Sequence, residues 1–306
     1  MRILVVGAGA TGGYFGGRLA QAGRDVTFLV RPSRAARLRE RGLEIVSPHG
    51  GATLHPAIVT ADEIARPYDL VLLSVKAFAL DAALADVAPA IGPDTMILPV
   101  LNGMRHLDVL AARFGAERLL GGVCKIMGRI DEEGRIVQMS PLHELTYGET
   151  DGTRSPRITA LDAVMQGAGF DARLSDTILL DMWEKWVFLA SLGATTCLMR
   201  GSIGDVAAAG GKAVALAIVG ECAAIAQAAG YGPRPAFLAW TQAQLTADGS
   251  PMTSSLYRDL SQGYPVEADQ IIGDLAARAR AFALPVPLLE AVGVALKLYE
   301  NRRAPG

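Results

Sequence analysis

Arg2-Ile3-Leu4-Val5-Val6-Gly7-Ala8-Gly9-Ala10-Thr11-Gly12 decides how the first half of this chain folds. Ile3 to Val6 is a short apolar run of the kind that a parallel sheet buries on both faces. Thr11–Ala22 then carries helical periodicity and stops at Gly23, a suitable glycine for the position after a helix. Between that strand and that helix, each glycine has a separate task. Gly7 permits a tight turn, Gly9 lets backbone approach a pyrophosphate, and Gly12 allows helix and strand to pack closely. The free amides and the dipole at the helix start favour an anion there. Gly7, Ala8, Gly9, Ala10, Thr11 and Gly12 are therefore expected to bind a dinucleotide.

Working outward, Asp25–Val30, Leu70–Val75 and Met96–Leu101 repeat the strand signal. Helical stretches at Ala77–Val87 and Arg105–Phe114 follow the last two. Strands alternating with helices predict an α/β fold with a doubly wound, Rossmann-type parallel sheet. Gly134–Met139 and Glu144–Tyr147 read as short strands extending that sheet in antiparallel fashion. Near Ser175 the composition changes to alanine and leucine at helical spacing. Ser175 suits the N-cap of a long helix running through Trp183 and Trp186. Gly201–Gly204, Gly210–Gly211, Gly230–Pro233 and Gly249–Pro251 divide the rest of the chain into several helices. The expected organisation is a dinucleotide-binding Rossmann-type domain over residues 1–174 and an all-helical domain over residues 175–306.

Composition narrows the function classes. A chain of 306 residues accommodates about two domains. Lys+Arg 29 against Asp+Glu 31 gives a net charge of −2, without the basic surplus of a nucleic-acid binder. Cys124, Cys197 and Cys222 cannot all pair, and they suit a reducing cytoplasm. The start of the chain lacks the basic, apolar and small-residue succession of a secretory signal. Ala213 to Ala229 is apolar but mostly alanine, and Glu221 and Gln227 interrupt it. It reads as a buried helix, not a membrane span. His49, His55, His106 and His143 show no metal-ligand spacing with a cysteine or an acid. Trp183 and Trp186 are expected to pack against other helices.

The choice of dinucleotide turns on the end of the second strand. NAD sites usually place an acid about 20 residues beyond the glycine motif, on the ribose 2′-hydroxyl. Here no acid occurs between Asp25 and Glu40, and Arg31 and Arg34 stand where a 2′-phosphate would lie. A guanidinium pairs with phosphate in two parallel hydrogen bonds. Arg31 therefore predicts NADP(H), whereas Arg37, Arg39 and Arg41 suit the solvated face of a short helix. Ligands of open α/β sheets bind beyond the carboxyl ends of the strands. Lys76 and Asn102 follow two of those ends, Lys76 as a candidate cofactor contact and Asn102 as a candidate amide contact to nicotinamide or substrate.

Lys185, in Trp183-Glu184-Lys185-Trp186, and Glu267, in Pro265-Val266-Glu267-Ala268-Asp269, are ionisable residues in the helical half. By spacing alone the first reads as a snorkelling surface lysine and the second as an acid opening a helix. Spacing does not make them catalytic. Together, however, the glycine motif, Arg31, Ser74-Val75-Lys76-Ala77, Asn102-Gly103-Met104, Trp183-Glu184-Lys185, Ser255 before Asp259, and Glu267-Ala268-Asp269 with Gly273 resemble the ketopantoate reductase family over essentially the whole chain.

That resemblance implies NADPH-dependent reduction of a 2-oxo acid, by default ketopantoate to pantoate. It implies Lys185 as general acid, Glu267 as its acidic partner near the nicotinamide ribose, and Asn102 and Ser255 as substrate contacts. A nearby ammonium stabilises the alkoxide that hydride transfer creates and then protonates it. One departure concerns the substrate. Ketopantoate-reducing members of the family carry asparagines one and two turns after the lysine and another shortly before the serine, where this chain has Leu189, Gly193 and Met252. Lost amide contacts discriminate against a polar substrate. The alternatives are a reductase of a bulkier 2-oxo acid, a related two-domain dehydrogenase of the opine, glycerol-3-phosphate or 3-hydroxy-acid type, and an NADP-binding sensor without turnover. The apolar helical half suits a homodimer, although no residue specifies its interface.

Overall fold

The structure, a computed structural model, describes residues 1–303. The chain runs β1 (Arg2–Val6), α1 (Ala10–Gln21), β2 (Asp25–Leu29), α2 (Pro32–Arg41), β3 (Leu43–Val46), β4 (Ala52–Leu54) and β5 (Ala57–Val59). Next come β6 (Leu70–Leu73), α3 (Leu80–Val87), β7 (Met96–Pro99), α4 (Arg105–Phe114), β8 (Leu120–Ile130), β9 (Ile136–Glu149), α5 (Pro156–Met165) and β10 (Asp171–Leu174). Helices α6 (Ile178–Met199), α7 (Ile203–Ala208), α8 (Lys212–Ala228), α9 (Pro235–Leu245), α10 (Ser255–Ser261), α11 (Asp274–Ala281) and α12 (Pro287–Arg303) complete it. Two compact units emerge. One comprises Met1–Leu101 with His106–Ile178, the other Asn102–Arg105 with the chain from Leu179 onward. The division after Ile178 falls four residues beyond the expected 174, and the loop Asn102–Arg105 belongs with the helical unit.

In the first unit the order β5-β2-β1-β6-β7 is parallel throughout. The apolar run of β1 is continuous because each face has its own cover. Ile3 and Val5 join Tyr14, Phe15 and Leu19 of α1, whereas Leu4 and Val6 join Leu80 and Leu84 of α3 and Leu110 of α4. Chain order reverses between β1 and β6, which creates the crevice where doubly wound sheets bind ligands. Ser74–Val75 and Val100–Leu101, expected as strand ends, form the loops at that edge.

The later strands correct the expectation of an antiparallel extension. β10-β9-β3-β4, with β8 on β9, form a separate mixed sheet on the other side of α1, whose residues share a core with Ile45, Ile136, Leu145 and Tyr147. The two short segments are one 14-residue strand, β9. Pro141 suggests a break, but residues 139–142 fall within the register shift around Met127 and so leave the ladder without ending the strand.

The helical unit brings further corrections. Ser175 stands three residues before the start of α6. Its hydroxyl accepts from the Thr177 amide at 3.1 Å, in a turn before the helix begins at Ile178. Gly204 lies inside α7, where a Cβ would meet the Ser250 nitrogen at 2.6 Å, so it is a packing glycine and not a break. α8 buries one face, including Ile218, Val219, Cys222 and Ile225, and leaves much of the other exposed. Glu221 on α8 accepts from the Leu288 and Leu289 amides at 3.0 and 2.9 Å, and so caps α12. No helix among the described residues is long and apolar enough to cross a membrane.

Candidate active site

The glycine turn is built as the motif requires. Gly7 has φ +91°, a region that side chains resist, and its amide donates to the Leu29 carbonyl at 3.0 Å. A Cβ on Gly12 would stand 1.8 Å from Ser74 Oγ and 2.7 Å from the Gly7 carbonyl oxygen. A Cβ on Gly9 would meet no heavy atom within 4 Å. Close packing below Gly12 and open space at Gly9 are what a pyrophosphate resting on the backbone needs. α1 has Gly9 at its N-cap with no side-chain cap, and its first turn carries no acid, so nothing there competes with a phosphate for its amides. The turn thus fits a dinucleotide. Ser74 supports it by donating to the Val6 carbonyl at 3.1 Å. A small hydroxyl residue at the carboxyl end of β6 is the signal that could have revealed this role.

The arginines of α2 divide differently from the sequence reading. Arg31, at the N-cap, is exposed. Arg34 is half-buried and donates to the Gly134 and Ala8 carbonyls at 3.1 and 3.4 Å, tying the β8–β9 turn to the glycine loop. Burial, and then the neighbouring Arg37 charge, lower its pKa from the ordinary guanidinium value. Arg37 also departs from the expected solvated face, donating to the Glu133 carbonyl. Arg39 pairs with Glu63 at 2.9 Å, and Arg41 is exposed. Lys76, exposed, occupies the position before the short helical turn Ala77–Ala79 that leads into α3.

Asn102, Lys185, Ser255 and Glu267 all belong to the helical unit. Lys185 is half-buried on α6, next to Trp186. The Trp186 indole is 1% exposed and donates to the Ile271 carbonyl at 2.9 Å. Ile271 in turn donates its amide to the Glu267 carbonyl at 3.1 Å. The two bonds join the lysine's helix to the turn that carries the acid. Asp269–Gly273 in that turn is π-helical, a geometry common at functional sites. The Trp183 and Trp186 rings lie 4.9 Å apart with Arg278 over both, so the tryptophans are packed within the helical unit.

Two acids beside Lys185 on α6 are already engaged. Arg234 donates its amide and Nε to Glu184 at 2.8 and 2.9 Å and Nη2 to Asp181 at 2.5 Å. Asp181 and Glu184 are 7% and 3% exposed, and buried carboxylates require such charge-assisted partners. Hydrogen bonding to Glu184 raises the Arg234 pKa.

Ser255 is exposed at the first turn of α10, while Ser254 caps that helix by accepting from Tyr257 at 2.9 Å and shares a hydrogen bond with Thr196 at 2.8 Å. Asn102 is half-buried, and its carbonyl accepts from Gln270 Nε2 at 3.0 Å. The sequence did not reveal the hydrogen bonds by which Ser74, Trp186 and Gln270 hold other groups in place. Cys124, Cys197 and Cys222 are buried and form no disulfide, and among the described residues no group of three or more His, Cys, Asp or Glu is placed to hold a metal.

A doubly wound parallel sheet with a phosphate-accepting glycine turn, followed by a helical unit, defines a Rossmann-type dinucleotide oxidoreductase. The chain belongs to the ketopantoate reductase family. Residues 3–152 match the family described as "Ketopantoate reductase PanE/ApbA" and residues 177–300 its C-terminal counterpart. It is 36% identical to "Uncharacterized oxidoreductase YkpB" of Bacillus subtilis, covering 99% of this chain and 100% of that protein. The 2-dehydropantoate 2-reductase structure from Methylococcus capsulatus is 27% identical, with a TM-score of 0.89, over 100% of this chain and 99% of that one. D-mandelate dehydrogenase, solved with NADH and anilino(oxo)acetate, shares the fold at 21% identity, with a TM-score of 0.87 over 99% of both chains.

Proposed function

We propose that the chain reduces a 2-oxo acid with NADPH, ketopantoate to pantoate being the default reaction and pantothenate biosynthesis its setting. One observation carries the reading. Asn102, Lys185, Ser255 and Glu267, the family-matched residues, belong to one unit, in which Trp186 bonds the lysine's helix to the acid's turn. The glycine turn holds the pyrophosphate, with Lys76 a further cofactor contact. Arg31, exposed where the 2′-phosphate would lie, supports NADPH over NADH. When bound, NADPH supplies the hydride that goes to the carbonyl carbon.

Lys185 stabilises the charge left on the carbonyl oxygen and delivers the proton there, which completes the alcohol. Glu267 holds the ammonium in register. Asn102 and Ser255 fix the substrate by hydrogen bonds. The enzyme is read as cytoplasmic and as a homodimer through its helical half.

A second reading, a bulkier and more apolar 2-oxo acid, draws support from the positions that depart from the family. Gly193 is buried, and a Cβ there would touch only Leu256, at 3.6 Å. Met252 and Phe188 pack with Leu192, Ile203, Val219 and Leu245. Neither position supplies an amide. Steady-state NADPH oxidation with ketopantoate and a series of larger 2-oxo acids, in wild type and Lys185→Ala, tests both readings. Preference for ketopantoate removes the second. Tight NADPH binding without turnover of any 2-oxo acid replaces both with the sensor reading.

A further inference from the structure

The π-helical turn Asp269–Gly273 presents two groups sideways, and each meets a segment that bears a proposed site residue. The Ile271 carbonyl takes the Trp186 indole of the lysine-bearing helix at 2.9 Å. One residue earlier, Gln270 is 7% exposed and reaches the loop after β7, where its Nε2 donates to the Asn102 carbonyl at 3.0 Å. The same loop is held a second time by shape. Gly103 sits at φ +80°, and a Cβ there would lie 2.7 Å from the Gln270 carbonyl oxygen. The hydrogen bond from Gln270 to the Asn102 carbonyl fixes the rotation of the Asn102–Gly103 peptide plane, and with it the direction in which the Asn102 side chain leaves the backbone.

We propose that Gln270 is a positioning residue that holds the Asn102 loop in its binding-competent shape. The proposal rests on the reading of Asn102 as a substrate contact. Asn102 and Glu267 then do not move independently, because a single turn sets both.

Two substitutions of nearly equal volume test it. Gln270→Met removes the donor and the polarity, and Gln270→Glu at pH 8 keeps a polar group of the same shape but cannot donate. Losing one such bond is expected to raise the KM for the 2-oxo acid about two- to tenfold in both variants, with kcat changed less and NADPH affinity within about twofold of wild type. Hydrogen exchange supplies a readout independent of turnover. Peptides covering residues 100–106 should exchange about two- to tenfold faster in both variants, while those covering residues 186–196 keep the wild-type rate. If either variant matches wild type in KM and in exchange at residues 100–106, the shape of Gln270 suffices and the proposal falls. If wild type turns over no 2-oxo acid, the reductase reading fails by itself, and the exchange data still decide whether Gln270 holds the loop.

Discussion

Gly9 and Gly12 stand in one turn, yet a methyl group at each should fail in a different way. At Gly12 the added Cβ would lie 1.8 Å from Ser74 Oγ, 2.9 Å from Ser74 Cβ and 2.7 Å from the Gly7 carbonyl oxygen. The hydroxyl can rotate away only by giving up its bond to Val6, worth about 1 kcal/mol. The other two contacts involve backbone or Cβ and cannot be relieved by a side-chain rotation, so α1 must shift, an overpacking cost of about 1–3 kcal/mol. Alanine regains up to about 1 kcal/mol of helix propensity. Gly12→Ala should therefore destabilise the fold by about 1–3 kcal/mol, and Ser74→Gly in the same chain should recover part of that loss.

At Gly9, where φ is −82°, an alanine is neither strained nor crowded. Its methyl enters the space assigned to the pyrophosphate, so Gly9→Ala should fold with near wild-type stability and bind NADPH about tenfold or more weakly, a loss of about 1.4 kcal/mol. Urea unfolding without cofactor measures the first pair of effects, and NADPH fluorescence titration the second. A stable Gly12→Ala, or a Gly9→Ala with undiminished NADPH affinity, would refute the reasoning.

On the proposed chemistry, Lys185→Ala should lower kcat about 10²- to 10⁴-fold while NADPH still quenches protein fluorescence, since general acids typically contribute that much. Arg31→Ala should raise the KM for NADPH and leave that for NADH unchanged, as steady-state kinetics with both cofactors would show. Glu221→Ala uncaps α12 and should cost about 1–2 kcal/mol in denaturant unfolding. His143 is expected to make stability fall with acid. Burial and then His49 push its pKa below the ordinary imidazole value, Arg18 adds to this, and Asp171 opposes it. The unfolded chain takes up a proton near pH 6.5 and the folded chain only at lower pH, so stability declines below about pH 6.5. His143→Gln should flatten that decline in melting curves taken between pH 8 and 5.

The doubly wound sheet was legible because β1, β2, β6 and β7 are local apolar runs, each followed by a turn and a helix. The second sheet was not. β3 lies beside β9 across some 90 residues of chain, a pairing that no local periodicity encodes, and Pro141 disguised a continuous strand. Within the site, groups expected to touch ligands declared themselves by residue type and by family pattern. The groups that hold them did not. Trp186 looks like any core aromatic until its indole is seen on the Ile271 carbonyl, and Gln270 like any helical polar residue until its amide meets Asn102. Arg34, read with Arg31 as standing where a 2′-phosphate would lie, also bonds the glycine loop, which its spacing did not announce. A buried acid pair in an apolar helix, Asp181 and Glu184, becomes intelligible only when Arg234 arrives from the start of α9.

The assignment of Asn102–Arg105 to the helical unit has a practical consequence for anyone recombining members of this family. The polypeptide passes from one unit to the other at residues 101/102, 105/106 and 178/179, so no single cut separates them. A chimera spliced once near residue 178 would pair one parent's asparagine loop with the other parent's Gln270, an untried fit. Transplanting residues 102–105 along with everything after 178 keeps that loop with the glutamine that bonds it in its own parent.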